Sequence, residues 1–289
     1  MRIYESVFEI SEKFLDSKSP VKINDYVISI TSKQMLDQGV KRFPIKKITQ
    51  DHIYQAVLQE FVGCAINYCY WYGLSNIRPN ESSSTKMYSL VETAFKNYQQ
   101  GDNFEICIQR LTELLALERF PLLEEREKHL KELIPDGEDF CIGVSNAIFY
   151  KDKEDFYPFF EDMIKTFPGY ASDIFLKRAS LFFLQMYRQY GWFESAMIEL
   201  PVPADYQVPK MLRGFNCITY DLYLDELIKH EVLIPKGSRE ECSIRAATVI
   251  ACKKLQENTK WSISDIDGYF WLKRKEIDEP FHLSITTDY

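Results

Sequence analysis

Apolar residues recur three and four positions apart along most of the chain, with charged residues between them. This spacing is typical of amphipathic helices, whereas strict alternation over several residues would indicate strands. The predicted helices cover residues 4–16, 53–72, 86–99, 105–118, 121–134, 140–149, 153–166, 174–190, 239–257 and 263–275. Residues 27–30 fit either a short strand or extended chain. We therefore expect a mainly all-α fold with at most minor extended segments.

No internal repeat, low-complexity stretch or linker interrupts this pattern. The chain is expected to form a single helical domain, 1–289. Residues 1–50 would be an N-terminal extension that packs on a core of residues 51–289. A chain of this length can bury a sizeable hydrophobic core.

Residues 201–224 are the most informative stretch of the chain. A short apolar segment that contains Pro209 stops at Gly214, and a second amphipathic segment begins at Thr219. Proline favours the first turn of a helix, and glycine favours a left-handed position after its end. The stretch is therefore predicted to be a helix–turn–helix hairpin.

Asp205 lies between Pro203 and Pro209, at the entrance of this hairpin. A carboxylate held in place by such a segment suits group-transfer chemistry. An aspartate in this position can also cap the first helix of the hairpin, and the local sequence by itself favours the cap.

Two cations occur in an otherwise apolar helix, residues 174–190. Lys177 and Arg178 lie near its start, and an unpaired buried charge costs several kcal/mol, about 3–5 when a partner is missing. Their partner could be an acidic side chain of a neighbouring helix or an anionic ligand. Similarly, Arg245 lies within an apolar helix, where a core carboxylate would be an ordinary partner. His282 is a lone histidine, a residue type that is most often packed and hydrogen-bonded.

An aromatic cluster, Asn67-Tyr68-Cys69-Tyr70-Trp71, ends the long predicted helix that begins at residue 53. Aromatic residues in such a helix usually pack in the core. The alternative is a wall on which a planar ligand stacks, with the Asn67 amide directed at that ligand.

Composition narrows the range of functions. The net charge of −8 has the wrong sign for a protein that makes many phosphate contacts, so long nucleic acid is not an expected partner. Seven cysteines without paired metal spacing, together with an acidic N-terminal segment, indicate a reduced cytoplasmic protein. No apolar window is long enough for a membrane span. With four histidines and no phosphate-loop, dinucleotide or metalloprotease motif, we expect no metal and no cofactor.

Several short motifs occur in a characteristic order. They are NYCYW at 67–71, PLLEER at 121–126, FPGY at 167–170, FLKRA at 175–179, PADYQVP at 203–209, IRA at 244–246, DGYFW at 267–271 and FH at 281–282. In this order the chain resembles the queuosine salvage protein family, the queuosine 5′-phosphate N-glycosylases, over about residues 50–289. The joint order of the motifs carries the resemblance, because no single motif is specific.

The resemblance implies a helical fold related to helix-hairpin-helix DNA glycosylases. It also implies hydrolysis of the N-glycosidic bond of queuosine 5′-monophosphate, which releases queuine for reuse in tRNA modification. By motif position, Asp205 would be the catalytic carboxylate and Lys177 a phosphate ligand. The other expected substrate-binding residues are Arg178, Asn67, Tyr70, Trp71, Tyr206, Arg245, Asp267 and His282. The expected partner is one small nucleotide, bound by a monomer.

The residues suit this chemistry. Glycosidic cleavage passes through a ribosyl cation, which a carboxylate can stabilise while it draws a proton from the attacking water. A 7-deazaguanine base has carbon at position 7, so it cannot be protonated there to assist its departure. Catalysis would therefore depend mainly on Asp205 and on precise positioning of the substrate.

The chain also departs from the family pattern at several positions. Pro203 replaces a phenylalanine, Gln207 an arginine and Ser243 a glutamate, and Gln185 and the C-terminal tail differ as well. These departures leave two alternatives open, a hydrolase for another purine-like nucleotide and a non-catalytic helical module that binds a modified nucleotide or a protein partner. A DNA glycosylase is disfavoured by the acidic charge.

Overall fold

The structure is a computed structural model that describes residues 2–42, 44–72, 83–98, 102–150 and 155–289. In chain order its helices are α1 (Glu5–Phe14), α2 (Asp25–Gln38), α3 (Ile53–Ala65), α4 (Ser83–Ala94), α5 (Phe104–Leu117), α6 (Leu123–Glu132), α7 (Gly137–Phe149), α8 (Tyr157–Thr166), α9 (Pro168–Ala171), α10 (Lys177–Tyr190), α11 (Ala196–Glu199), α12 (Gln207–Gly214), α13 (Leu222–Lys229), α14 (Arg239–Thr259) and α15 (Ile263–Lys273). Two short strands, β1 (Val21–Ile23) and β2 (Ile218–Tyr220), form an antiparallel pair. The expected mainly all-α fold is confirmed, whereas the relation to helix-hairpin-helix glycosylases stays a prediction.

The chain divides into two compact units. The first contains Met1–Ile45, Ile174–Ile285 and Tyr289, and the second contains Lys46–Asp173 and Thr286–Asp288. The expected single domain with an N-terminal extension of residues 1–50 stays a prediction. Among the described helices, none combines the length and the apolar character that a bilayer crossing requires.

Helix α14 is the central element of the first unit. Ser238 caps it by accepting a hydrogen bond from the Glu241 amide at 3.2 Å. The helix packs against α1, α2, α12, α15 and both strands. Most of its circumference is therefore buried, including Cys242, Ile244, Ala246, Ala247, Val249, Ala251, Cys252 and Leu255.

Residues 27–30 are helical, not extended. Asn24 caps α2 by accepting a hydrogen bond from the Val27 amide at 3.2 Å. The buried residues of α2 follow at helical spacing, and they are Ile28, Thr31, Ser32 and Met35. The cap and this spacing outweigh the high strand propensity of the β-branched residues.

The predicted helix–turn–helix hairpin is interrupted by a strand. Thr219 pairs with Lys22 in the β1–β2 ladder instead of starting a helix. Helix α13 begins only at Leu222. Asp221 caps it by accepting a hydrogen bond from the Leu224 amide at 2.9 Å. A partner strand about 200 residues away along the chain gives no local sequence signal.

Gly214 does not take the predicted left-handed conformation. It is the last residue of α12, and Asn216 has the positive φ of 58° instead. Glycine is required at 214 for another reason, because a Cβ there would overlap the side chain of Ile277. Pro209 does lie in the first turn of α12, as predicted.

Helix α3 is the core of the second unit, where the Phe61 ring packs on Phe140, Phe167 and Tyr170 at centroid distances of 4.8, 5.0 and 5.5 Å. The predicted helix 53–72 is too long, since α3 ends at Ala65.

The buried Arg126 explains this early end of α3. Its guanidinium donates to the carbonyls of Ile66 and Tyr68, and its Nε donates to the Pro121 carbonyl at 2.8 Å. These hydrogen bonds satisfy carbonyls that a helix would have satisfied internally. Cys69 within this segment has a positive φ of 46°.

Candidate functional site

Asp205 lies in an extended segment between α11 and α12. Its Oδ1 accepts hydrogen bonds from the amides of Gln207 at 2.7 Å and Val208 at 3.1 Å. The cap that the local sequence favoured is therefore present. Within the described residues, Oδ2 accepts no hydrogen bond from the protein. One carboxylate oxygen thus fixes the side chain, which leaves the second oxygen available for chemistry.

The Asp205 carboxylate has an unusual electrostatic environment. Burial raises its pKa above the ordinary value of 3.8, and the negative charge of Asp267 adds to this increase. The positive charge of Lys177 and the two capping amides act in the opposite direction without cancelling the effect of burial. Lys177 and Asp267, which the sequence also singled out, therefore both lie close enough to Asp205 to influence its pKa.

Lys177 is the first residue of α10, and Leu176 before it has a left-handed conformation with φ 50°. The Lys177 side chain is only 3% exposed and that of Arg178 only 1%. Both residues make interactions within the structure. The start of a helix carries a partial positive charge, so two cations at this position create a local environment that favours an anion.

Asp267 forms an ion pair that the sequence analysis missed. Its Oδ2 accepts a hydrogen bond from Arg188 Nη2 at 2.7 Å, and both side chains are mostly buried. Arg188 lies 11 residues after Lys177 on α10, which is about three helical turns. That spacing places both cations on one face of the helix and is the signal that could have identified Arg188.

Arg245 lies one helical turn after Glu241 on α14 and is buried. Its Nη1 is 3.6 Å from Glu241 Oε1, so the ordinary explanation of a buried arginine, an acidic partner in the core, fits the structure. Its Nε donates to the carbonyl of Ala204 at 3.0 Å. Arg245 therefore contacts the residue that immediately precedes Asp205.

His282 and Tyr206 have packing partners. The Nε2 of His282 is 2.9 Å from the Tyr289 hydroxyl, and burial, together with the charge of Arg245, lowers the His282 pKa to about 3. His282 is therefore a neutral, hydrogen-bonded residue near neutral pH. The Tyr206 ring packs on Phe281 at a centroid distance of 4.9 Å.

Asn67, Tyr70 and Trp71 belong to the second unit, whereas Asp205, Lys177 and Asp267 belong to the first. Tyr70 is 6% exposed, and the Arg126 guanidinium lies 5.3 Å from the centre of its ring. The Trp71 ring packs edge-on against Tyr72. Core packing thus accounts for Tyr70, and the role of these three residues in ligand binding stays a prediction.

The charged surface of α6 lies outside the candidate site. It borders an open depression of about 480 Å³, whose lining residues are Glu124, Glu127, Lys128, Lys131 and Glu132. Lys131 and Glu127 form an ion pair at 2.7 Å across one helical turn. This is the solvated, salt-bridged face that the spacing of charges indicates.

The protein is mainly helical, and its candidate site contains a carboxylate that accepts hydrogen bonds from two amides at the start of a helix. A buried lysine interacts electrostatically with this carboxylate. A sequence model described as queuosine salvage protein matches residues 56–285, more than half of the chain. The chain belongs to this family, and the resemblance noted from its motifs is confirmed.

Two relatives carry the name queuosine 5′-phosphate N-glycosylase/hydrolase. The protein from Dictyostelium discoideum is 31% identical over 40% of this chain and 40% of its own length. The protein from Sphaerobacter thermophilus is 27% identical over 71% of this chain and 70% of its own length. The similarity to the Dictyostelium protein thus spans less than half of either chain.

Proposed function

We propose that this protein is a hydrolase that cleaves the N-glycosidic bond of queuosine 5′-monophosphate and releases the 7-deazaguanine base queuine. The names of both relatives support this activity, as does membership of the family. The observation that carries the proposal is the partly buried Asp205, held by two amides within the field of Lys177.

Asp205 would act as an ionised carboxylate on the sugar side of the bond. As the bond to the base lengthens, positive charge develops on the ribose, and a fixed negative charge stabilises it most effectively where water is largely excluded. The free Oδ2 can also accept a proton from the attacking water. Because Oδ1 is already held by the Gln207 and Val208 amides, the carboxylate needs little reorganisation during the reaction.

Lys177 and Arg178 would bind the 5′-phosphate at the start of α10. A phosphate is well matched to helix amides together with cationic side chains. Binding energy from this non-reacting group can be used to place the ribose against Asp205. Asp267 would then contact the base, and Asn67, Tyr70, Trp71, Tyr206 and His282 stay predicted substrate-binding residues on the basis of the resemblance.

We also propose that the released base is reused in tRNA modification and that the protein acts as a cytoplasmic monomer. Size-exclusion chromatography with light scattering checks the monomer directly. Measurement of queuosine in tRNA checks the role in salvage, when cells that lack the protein are given queuosine 5′-monophosphate or queuine. Only queuine should restore the modified tRNA in those cells.

The direct test is incubation of the purified protein with queuosine 5′-monophosphate, followed by chromatographic detection of free queuine. Guanosine 5′-monophosphate is the control for base identity, and it should release no base. The variant Asp205→Asn should release none from either nucleotide. Tight binding of queuosine 5′-monophosphate without release of base would instead support the non-catalytic binding module, for which the replacements at Pro203 and Gln207 are the motivation.

A further inference from the structure

The side chain of Arg245 contacts both the segment that carries Asp205 and the segment that carries Lys177. Its Nε donates to the Ala204 carbonyl at 3.0 Å, and Ala204 immediately precedes Asp205. Its guanidinium carbon also lies 4.5 Å from the centre of the Phe175 ring, and Phe175 is two residues before Lys177. One buried arginine therefore contacts both segments of the proposed site.

The contact with Ala204 restricts the position of the carboxylate. The backbone around Asp205 is fixed on both sides, because the Asp205 amide donates to the Pro203 carbonyl at 2.9 Å and Oδ1 accepts from Gln207 and Val208. The Arg245 hydrogen bond holds the intervening carbonyl. Few backbone rotations remain by which the carboxylate could move away from its place.

The contact with Phe175 restricts the position of the lysine in the same way. Phe175 is fully buried, and only Leu176, in its left-handed conformation, separates it from Lys177. A non-glycine residue with positive φ occupies a narrow energy well, so this short connection transmits the position of the ring to the start of α10.

Arg245 itself is held rigidly. It projects from the 21-residue helix α14, its Nη1 lies 3.6 Å from Glu241 Oε1, and the Tyr289 ring lies 4.4 Å from its guanidinium carbon. A guanidinium can donate from several nitrogen atoms in one plane while aromatic rings contact its faces. A lysine at this position would keep the charge but could not make all of these contacts.

We infer that Arg245 is a positioning residue that sets the distance between Asp205 and Lys177, rather than a ligand of the substrate. This inference rests on the proposed function, in which Lys177 binds the phosphate and Asp205 acts at the ribose. Its consequence is specific: without Arg245 the phosphate can still bind, but its binding no longer places the ribose against the carboxylate.

The test compares two substrates, queuosine 5′-monophosphate and the nucleoside queuosine, which lacks the phosphate. The quantity measured is kcat/KM for the nucleotide divided by kcat/KM for the nucleoside. In Arg245→Lys this ratio should fall roughly tenfold or more, mainly through kcat for the nucleotide, because a displacement of about 1 Å can cost about 100-fold in rate.

Arg213→Lys is the matched control in the same unit. Arg213 is also ion-paired, to Asp225 at 2.6 Å, and its guanidinium lies 5.2 Å from the Tyr220 ring, but it contacts neither Ala204 nor Phe175. Its substrate ratio should equal that of the wild type. If Arg245→Lys does not fold, Phe175→Leu removes the ring on the lysine side while keeping an apolar side chain, and the ratio should fall in the same direction.

The inference would be overturned if Arg245→Lys lowered kcat/KM by the same factor for the nucleotide and for the nucleoside. A loss of folded protein or a purely structural role lowers both kcat/KM values by one factor, so a ratio that changes by less than about threefold in Arg245→Lys is the contrary result. The proposed function fails in a different way, namely if the wild-type protein cleaves neither substrate, and the inference then falls with it.

Discussion

Replacing Asp205 by asparagine should inactivate the protein without destabilising it. Asparagine has the same shape, and its side-chain oxygen can still accept hydrogen bonds from the Gln207 and Val208 amides. The charge is lost and Oδ2 is replaced by an NH2 group, but no hydrogen bond to the described residues is broken, because both are made by Oδ1. Protonation of the aspartate removes the same charge, so the direction of the pKa shift gives the direction of the change in stability.

The folded-state pKa of Asp205 is raised, which means that the fold disfavours the ionised carboxylate. The ionised carboxylate therefore lowers the stability of the fold. This loss of stability is absent below the ordinary pKa of 3.8, where the side chain is neutral in both the folded and the unfolded state, and it is complete above the raised pKa of the folded state. At neutral pH, Asp205→Asn should therefore be at least as stable as the wild type. This advantage should disappear as the pH falls through the raised pKa.

A comparison with Asp205→Ala distinguishes the contribution of Asp205 to stability as a helix cap from its contribution to catalysis. Alanine removes the hydrogen-bond acceptor as well as the charge, and loss of a helix cap costs about 1 kcal/mol, or roughly 2–4 °C in melting temperature for a protein of this size. Both variants should lose about 1,000-fold or more in kcat, the scale expected when a residue that acts as proton acceptor and charge stabiliser is removed.

The assays are release of free queuine and thermal unfolding at neutral pH and at pH 4. The reasoning is refuted if Asp205→Asn is destabilised as much as Asp205→Ala at neutral pH, because the ionised form would then be favoured by the fold. Wild-type turnover by Asp205→Asn would remove the carboxylate from the mechanism.

Three further predictions follow from the site. Lys177→Met keeps the buried volume but removes the charge, so kcat/KM should fall about 100-fold for queuosine 5′-monophosphate and little for the nucleoside; equal losses for both would contradict phosphate binding. Asp267→Asn removes a negative charge that raises the Asp205 pKa, so the acidic limb of the kcat/KM profile should move to lower pH; an unmoved or raised limb would contradict this coupling. His282 has a pKa lowered from 6.5 to about 3, so the wild type should lose about 2 kcal/mol of stability between pH 7.5 and pH 5 in urea unfolding. His282→Gln should lose less over this range, and an equal loss would contradict a buried, neutral imidazole.

The features that could be predicted from the sequence are those with local signals. Pro209 was expected in the first turn of a helix, and it lies in the first turn of α12. The burial of Lys177 was evident from the apolar residues around it. Asp205 was recognisable as a cap from the residues on either side of it.

The features that escaped prediction depend on contacts between distant parts of the chain. Arg188 and Asp267 form an ion pair across 79 residues of sequence, and Arg245 contacts Ala204 across 41. Arg126 ends α3 through hydrogen bonds to carbonyls about 60 residues earlier. Local periodicity carries no information on such partners, so a sequence can indicate that a buried charge needs a partner but not which residue supplies it.

The acidic character of the whole protein is compatible with the proposed binding of one phosphate group, because electrostatic interactions at the surface and in a buried site are screened to different extents. Charges on the surface are screened by salt within about 8 Å, whereas partly desolvated charges are screened much less. Lys177 and Arg178 are two such buried cations, at the start of α10, in a protein with a net charge of −8. A single phosphate close to this group would be attracted to it, whereas a longer nucleic acid would bring many further phosphates to a protein whose net charge is negative. We therefore expect this charge distribution to favour a free mononucleotide over a polynucleotide, as the proposed function requires.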